Sequence, residues 1–280
     1  MNQIEREKKA AERTKMILAR RILRDPEKGG INSLTVGPPG AGKTNQLIHD
    51  AKNIFIHHPS ELVFWWDNPE SAAQYARDGV EYEIFVEEGC NVSFRNLTAG
   101  GVINKDYTVF SCFNDLINMD TGQGLAKPQQ INAIYFKNKY SIIDFISHLR
   151  MTVGFQSIFI DEIECIIPLN PPKLPSEDVN IRYQKNIEFS ETAKEARKDL
   201  VNIFGDTQDV ADIDHRFKRK LNMIVYLSGS KVDKRSRVRE SSVNGLPIGK
   251  GFVCYERSSF GKIRFDYYPA LKPIFSVNIH

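Results

Sequence analysis

Short apolar segments alternate along this chain with stretches in which apolar residues recur at helical spacing. The mainly apolar runs at 62–66, 157–160 and 223–227 predict buried strands, because each is too short for a core helix. Three helical faces are predicted: Leu47, Ile48, Ala51, Ile54 and Phe55; Ile142, Phe145, Ile146 and Leu149; and Phe189, Ala193, Ala196, Leu200 and Ile203. Helices that alternate with apolar strands connect parallel strands, so the pattern predicts an α/β fold with a mainly parallel central sheet.

Two stretches depart from this alternation. Residues 1–28 predict a charged helical segment, with nine basic and five acidic residues and only a partial apolar stripe. Residues 79–137 contain short strand-like runs between glycines and asparagines, which predict a β-rich elaboration within a single domain over 29–280. Two more strands are predicted near the C-terminus, at 252–255 and 262–265.

Composition narrows the class of protein. Hydrophobic residues make up 41% of the 280 residues and charged residues 26%, which is typical of a folded globular protein. The formal net charge of +3 excludes a histone-like polycation but allows a local basic patch. The apolar runs are too short to span a bilayer, so no stable membrane insertion is expected. The four cysteines form no CxxC pair, so no zinc site or redox motif is indicated, and their wide spacing favours a reducing, cytoplasmic location.

A glycine-rich loop follows a further predicted strand, at 33–36. The segment 37–44, GPPGAGKT, matches the pattern GxxxxGK[ST] in full and precedes a predicted helix. Backbone N–H groups of such a loop surround phosphate oxygens, and the helix N-terminus adds its positive dipole end. We expect Lys43 to reach the β- and γ-phosphates of ATP, and Thr44 to place its hydroxyl on Mg²⁺. The expected ATP-binding residues are Gly37, Pro38, Pro39, Gly40, Ala41, Gly42, Lys43 and Thr44.

Two carboxylates end the predicted strand at 157–160. Asp161 is expected to hold Mg²⁺, and Glu162 is expected to polarise the attacking water as the catalytic base. Ligands of open α/β sheets bind at this carboxyl end of the strands. A Glu beside the metal-binding Asp suits activation of water, so hydrolysis is favoured over transfer of the phosphoryl group to a second nucleotide, and a nucleotide kinase is disfavoured. Glu164 is expected to be a solvated loop residue.

The last predicted strand of the core, 223–227, leads into a basic segment. Ser228 or Ser230 at its tip could sense the γ-phosphate if this strand lies beside the acidic one. Residues 215–240 contain nine Lys or Arg and two Asp or Glu, which predicts a phosphate-contacting surface. Candidate DNA contacts are Lys231, Lys234, Arg237 and Arg239. Arg235 is the first candidate for an arginine finger acting on a neighbouring subunit, with Arg237, Arg216 and Arg219 as others.

These motifs, in this order, resemble the FtsK/HerA division of P-loop ATPases. The likeness covers roughly residues 31–240 and is strongest to viral genome-packaging ATPases and Zot-like phage assembly ATPases. It implies a RecA-like core, assembly into a homo-oligomeric ring, usually a hexamer, and ATP-driven translocation of double-stranded DNA. The family usually carries a Gln at the tip of its sensor strand, where the predicted sensor strand here offers Ser228, Gly229 and Ser230.

The first hypothesis is therefore a Mg²⁺-dependent ATPase that packages a viral genome, with a capsid or portal-like vertex protein as a further candidate partner. An AAA+ ATPase of the helicase-loader type is an alternative, disfavoured by the 118-residue separation of Lys43 and Asp161 and by the predicted strands after residue 240. A Zot-like or secretion ATPase that exports virions or protein is another. A nucleotide switch with little turnover is disfavoured by Glu162.

Overall fold

The computed structural model describes residues 27–66, 79–96, 102–169, 179–234, 236–255, 259–266 and 275–279, together with residues 5, 8, 9 and 12. Residues 5, 8, 9 and 12 are helical and exposed, and the rest of the predicted N-terminal helical segment up to residue 26 lies outside the described residues. In the described part of the chain, no helix is both long and apolar enough to span a bilayer.

Helices and strands alternate along the described chain. The helices are α1 (Lys43–His57), α2 (Phe113–Leu116), α3 (Ser141–Leu149), α4 (Val179–Lys198), α5 (His215–Lys218) and α6 (Glu240–Asn244). The strands are β1 (Asn32–Val36), β2 (Leu62–Trp66), β3 (Tyr82–Glu87), β4 (Val92–Asn96), β5 (Val102–Ile103), β6 (Thr108–Phe110), β7 (Ile131–Tyr135), β8 (Gln156–Ile160), β9 (Val201–Thr207), β10 (Met223–Leu227), β11 (Lys250–Tyr255), β12 (Ser259–Arg264) and β13 (Phe275–Ile279). Two 3-10 turns cover Ile163–Cys165 and Val210–Asp212.

Ten of these strands form one sheet in the order β12-β11-β10-β1-β9-β8-β2-β7-β3-β6. The strands from β10 to β6 are parallel to their neighbours, whereas β11 and β12 add an antiparallel hairpin at one end. The predicted α/β fold with a mainly parallel sheet is confirmed.

Helices cover both faces of this sheet. Leu47, Ile48, Ala51 and Ile54 of α1 pack on one face, against apolar side chains of β2, β8 and β9. The other face packs against α3 and α4. On the α1 face, the rings of Trp65, Phe159 and Phe204 stack in a row across β2, β8 and β9, with ring centroids 5.1 Å and 4.7 Å apart.

The third predicted helical face is wrong at its C-terminal end. Phe189, Ala193 and Ala196 are buried on α4 as predicted, but α4 ends at Lys198. Leu200 adopts a left-handed backbone with φ of 63°, which cannot continue a helix, and β9 begins at the next residue. The strand that lies between β1 and β8 was therefore not predicted from the sequence.

The stretch 79–137 divides between two sheets. Its strands β3, β6 and β7 extend the main sheet in parallel, while β4 and β5 form a small antiparallel sheet with β13. Three of the five strands in the predicted elaboration are therefore part of the central sheet. That this stretch has no catalytic role of its own remains a prediction.

Buried amide side chains fix the relative positions of the strands near their amino ends. Asn202 is fully buried on β9, where its Oδ1 accepts the Ile31 N–H at 3.0 Å and its Nδ2 donates to Gln156 O at 3.1 Å. Asn222 Oδ1 accepts the Asn32 N–H at 2.8 Å in the same way, ahead of β10. These bonds join neighbouring strands outside the regular ladder and disfavour a shift of register.

Replacing Asn202 with Ala should lower the free energy of unfolding by about 2–4 kcal/mol, because it leaves buried backbone groups of Ile31 and Gln156 without partners. Urea denaturation measures the change, with exposed Asn244→Ala as the control. Equal denaturation midpoints for the two variants would contradict this role of Asn202.

Candidate active site

The glycine-rich loop connects β1 to α1 and leaves open the space that phosphates would fill. Gly40 and Gly42 have φ of 79° and 91°, which L side chains rarely adopt. A Cβ on Gly37 would lie 2.9 Å from the Ala41 Cβ and 3.5 Å from the Lys43 Cγ. Gly42 at the N-cap has no side chain to occupy the helix N-terminus. The loop therefore has the form of an anion cradle, as its sequence predicts.

Neighbouring strands hold this loop at both sides. The Gly37 N–H donates to Thr207 O on β9 at 3.2 Å. On the other side, Ser230 Oγ lies 2.6 Å from the carbonyl oxygens of Val36 and Leu227, within reach of either for its one proton. The loop thus lies between the tips of β9 and β10.

The expectation that Ser228 or Ser230 senses the γ-phosphate assumes that β10 lies beside the acidic strand β8. That assumption is wrong. The strand between β1 and β8 is β9, and β10 borders β1 on the side away from β8. Ser228 Oγ donates to Leu246 O at 2.6 Å, and Ser230 is buried against the loop. The Ser230 hydroxyl therefore supports the end of β1 just before the loop, whereas the Ser228 hydroxyl ties the tip of β10 to the segment around Leu246.

The two predicted carboxylates lie where expected, after β8. Asp161 is buried, and its N–H donates to Trp66 O at 3.3 Å. Glu162 is half-buried and has a left-handed backbone with φ of 50°, an uncommon conformation for a non-glycine residue. Its N–H donates to the Oδ1 of Asp206 at 2.6 Å.

Asp206, near the end of β9, is a third carboxylate of this site that sequence reasoning missed. It is fully buried, and burial raises its pKa well above the ordinary value, with the Asp161 carboxylate adding to the rise and Lys43 opposing it. Two buried carboxylates next to one ammonium group leave excess negative charge. Together with the Thr44 hydroxyl on α1, these oxygens fit a hard divalent cation such as Mg²⁺.

The structure corrects the expectation for Glu164. Its side chain is half-buried under the tip of β9, and its Oε2 is a buried atom without a partner among the described residues. Burial raises the pKa of Glu164, while hydrogen bonds that include those from the Thr207 hydroxyl and the Gln208 N–H oppose the rise. The position of Glu164 in the sequence could not show its burial, because the burial comes from β9, which ends about 40 residues further along the chain.

Asp206 links the acidic turn to β9. Its carboxylate reaches from the strand to the backbone N–H of Glu162, and the Glu164 carboxyl lies near Thr207 and Gln208 at the tip of the same strand. Close packing adds to the link, since a Cβ on Gly205 would lie 2.8 Å from the Ile163 Cδ1. These contacts hold the acidic turn against β9.

Gln208 is exposed at the tip of β9, between the loop and the acidic turn. A Gln at the tip of the sensor strand is the feature of the resembled family that β10 lacks. The missed signal was the segment 201–208, VNIFGDTQ, whose apolar strand ends in polar residues as the acidic strand does.

The predicted basic segment divides into two regions. Lys231 forms a 3.0 Å ion pair with Asp209 beside the tip of β9, and Lys234 lines the same groove. Arg237 and Arg239 line a different surface pocket, next to β11 and β12. Arg235 lies outside the described residues.

The alternative finger candidates on α5 differ in their surroundings. The Arg216 guanidinium bonds Asp214 at 2.8 Å and stacks on the Tyr183 ring of the same subunit. Arg219 is exposed in the groove with Lys231 and Lys234, and this makes it the more accessible of the two.

Asp206→Asn should raise the melting temperature in the absence of nucleotide and Mg²⁺, because the amide keeps the acceptor for Glu162 N–H and removes a buried charge. The pKa of Asp206 is raised, so the folded wild type loses stability as pH rises from about 4 through that pKa. The gain over wild type should therefore be larger at pH 8 than at pH 5. Thermal melting tests this, with exposed Asp120→Asn as the control, and a gain that does not depend on pH would contradict it.

No family model matches the chain, and no curated protein matches its sequence. Solved structures do share its fold. The genome packaging NTPase B204 from Sulfolobus turreted icosahedral virus 2, in complex with AMP, aligns with a TM-score of 0.53 at 12% identity, over 89% of this chain and 100% of that chain. The DNA-packaging ATPase B204 from Sulfolobus Turreted Icosahedral Virus aligns with a TM-score of 0.53 at 10% identity, over 86% and 100%. The chain therefore has the fold of P-loop NTPases, and the resemblance to viral packaging ATPases is confirmed at the level of the fold.

Proposed function

We propose that this protein hydrolyses ATP in the presence of Mg²⁺. The observation that carries the proposal is the position of β9 between β1 and β8. It brings the glycine-rich loop, the Asp161–Glu162 pair and Gln208 to one edge of the sheet, where ligands of open α/β sheets bind.

Each group has a chemical role in this proposal. The loop from Gly37 to Thr44 binds the phosphates, and Lys43 neutralises charge on the β- and γ-phosphates. Thr44 and Asp161 would hold Mg²⁺, which polarises phosphoryl oxygens when bound. Glu162 accepts the proton of the attacking water. Gln208 contacts the γ-phosphate or that water from the strand between them.

We further propose that hydrolysis drives movement of double-stranded DNA in the packaging of a viral genome. The support is the fold shared with the DNA-packaging ATPase B204 over 86% of this chain and the basic residues after β10. In this proposal the protein acts as a homo-oligomeric ring, because an Arg finger such as Arg235 would complete a neighbour's site. A hexamer, and a capsid or portal-like vertex protein as partner, extend the proposal.

Two alternatives assign the same ATPase site to other tasks. A Zot-like or secretion ATPase would use it to export virions or protein. An AAA+ helicase loader is disfavoured by the described C-terminal residues, where the five-residue α6 is followed by the strands β11, β12 and β13 and no helical lid is seen within that part.

Glu162→Gln should bind ATP with wild-type affinity and hydrolyse it about 10²–10⁴-fold more slowly, because the amide fills the site but cannot take the proton. Lys43→Ala should lose nucleotide binding or turnover. Phosphate release and fluorescent-nucleotide binding measure the two properties. Wild-type turnover in Glu162→Gln would contradict the assignment of Glu162 as the catalytic base.

Gln208→Ala should lower kcat about 10²-fold at nearly unchanged nucleotide affinity, the usual effect of losing one polar group that acts on the transition state. The matched control is Ser228→Ala at the tip of β10, which should stay within about twofold of wild type if it has no catalytic part. The opposite result, a large loss of kcat in Ser228→Ala alone, would contradict the role of Gln208 and assign the contact with the γ-phosphate to Ser228 on β10.

A further inference from the structure

The antiparallel hairpin at the end of the sheet presents one strongly basic face. In the β11–β12 register, Lys250 pairs with Arg264 and Phe252 pairs with Lys262. Paired residues of an antiparallel ladder point to the same face of the sheet, so Lys250, Lys262 and Arg264 share one face. All three are exposed, while Ile263 between the last two is buried on the opposite face.

Two arginines from the preceding loop join this face. Arg237 and Arg239 line one surface pocket together with Lys262 and Phe252. The Lys262 Nζ lies 5.8 Å from the centre of the Phe252 ring, which forms the floor of the pocket. The hairpin basic face is therefore defined by Arg237, Arg239, Lys250, Lys262 and Arg264.

Counter-charges are scarce on the hairpin basic face. All five cations are exposed, and within the described ranges none of them forms an ion pair with a carboxylate. The nearest acidic residues in sequence are Glu240 and Asp266, and the Glu240 carboxylate accepts the Val232 N–H on the groove side. Elsewhere the pattern differs, since Lys185, Lys194 and Lys198 of α4 each pair with a glutamate.

The spacing of these cations fits a phosphate backbone. Alternate residues of a strand lie about 7 Å apart and neighbouring strands about 5 Å apart, so the charges form a flat array. Such an array can neutralise several phosphates without reading bases. The pocket is also near the nucleotide site in the fold. Ser228 Oγ at the tip of β10 bonds Leu246 O of the pocket lining, and Ser230 Oγ, two residues on, bonds Val36 O just before the glycine-rich loop.

We propose that the hairpin basic face is the surface on which this protein holds the phosphate backbone of a nucleic acid duplex. The inference rests on the proposed function for its choice of partner. It adds Lys250, Lys262 and Arg264 to the predicted contacts Arg237 and Arg239. It assigns Lys231 and Lys234 instead to the groove beside the tip of β9.

The test is the salt dependence of duplex binding by the full chain without nucleotide, measured by fluorescence anisotropy. The variant replaces Lys250, Lys262 and Arg264 with Gln. Each lost phosphate contact reduces the slope of log K against log salt by about 0.9, so the slope should become shallower by about 2 to 3. The matched control replaces Lys185, Lys194 and Lys198 of α4 with Gln, which removes the same charge and should leave the slope unchanged.

Two further readouts separate the possible failures. ATPase activity without DNA should stay at the wild-type level in the triple variant, while stimulation by DNA should fall. An unchanged salt slope would overturn the inference, as would a slope that changes equally in the α4 control. If light scattering shows that the triple variant loses its oligomeric state at an unchanged slope, the face contacts a second copy and the inference is wrong. A wild-type protein that binds duplex but shows no ATPase activity would refute the proposed function without contradicting the assignment of the hairpin basic face.

Discussion

The parallel pairing of β9 between β1 and β8 is the constraint on which the candidate site depends. The carboxyl ends of the adjacent strands β1, β9 and β8 meet at one edge of the sheet, so the loops that follow these strands lie next to one another. Thr207 bonds the start of the glycine-rich loop, and Asp206 bonds the acidic turn. One strand therefore positions both halves of the site.

This arrangement concentrates buried charge, which is unfavourable for folding. Asp161 and Asp206 are both removed from water, and Lys43 offsets only part of their repulsion. The buried amides at the amino ends of the strands and the stacked rings of β2, β8 and β9 stabilise the sheet that holds these carboxylates. A bound cation would reduce the repulsion further, so ligand binding and stability are coupled at this site.

Sequence motifs predicted the parts of the site that are local in the chain. The segment 37–44 and the Asp161–Glu162 pair each carry their chemistry within a few consecutive residues, and both lie as expected. The strand β9 was missed because Leu200 and Ile203 continue the helical spacing of Phe189, Ala193 and Ala196. A single left-handed residue, Leu200, ends that regularity.

Interactions between distant residues account for the other differences. The order of strands in a sheet depends on packing across the whole domain, so nothing in residues 223–230 shows that β10 lies on the far side of β1. The burial of Glu164 and the Asp206 contact to Glu162 arise in the same way, from residues about 40 positions apart. The basic segment looked uniform in sequence, but the fold sends Lys231 and Arg237 to different surfaces.

Both tryptophans of the chain lie in β2, next to the strand that carries the acidic pair. The Trp65 ring stacks on Phe159, two residues before Asp161, and Trp66 O accepts the Asp161 N–H. The tryptophan fluorescence of the protein therefore originates beside the acidic turn. It gives the native chain a built-in optical probe of this strand, with no need for a dye or an introduced label.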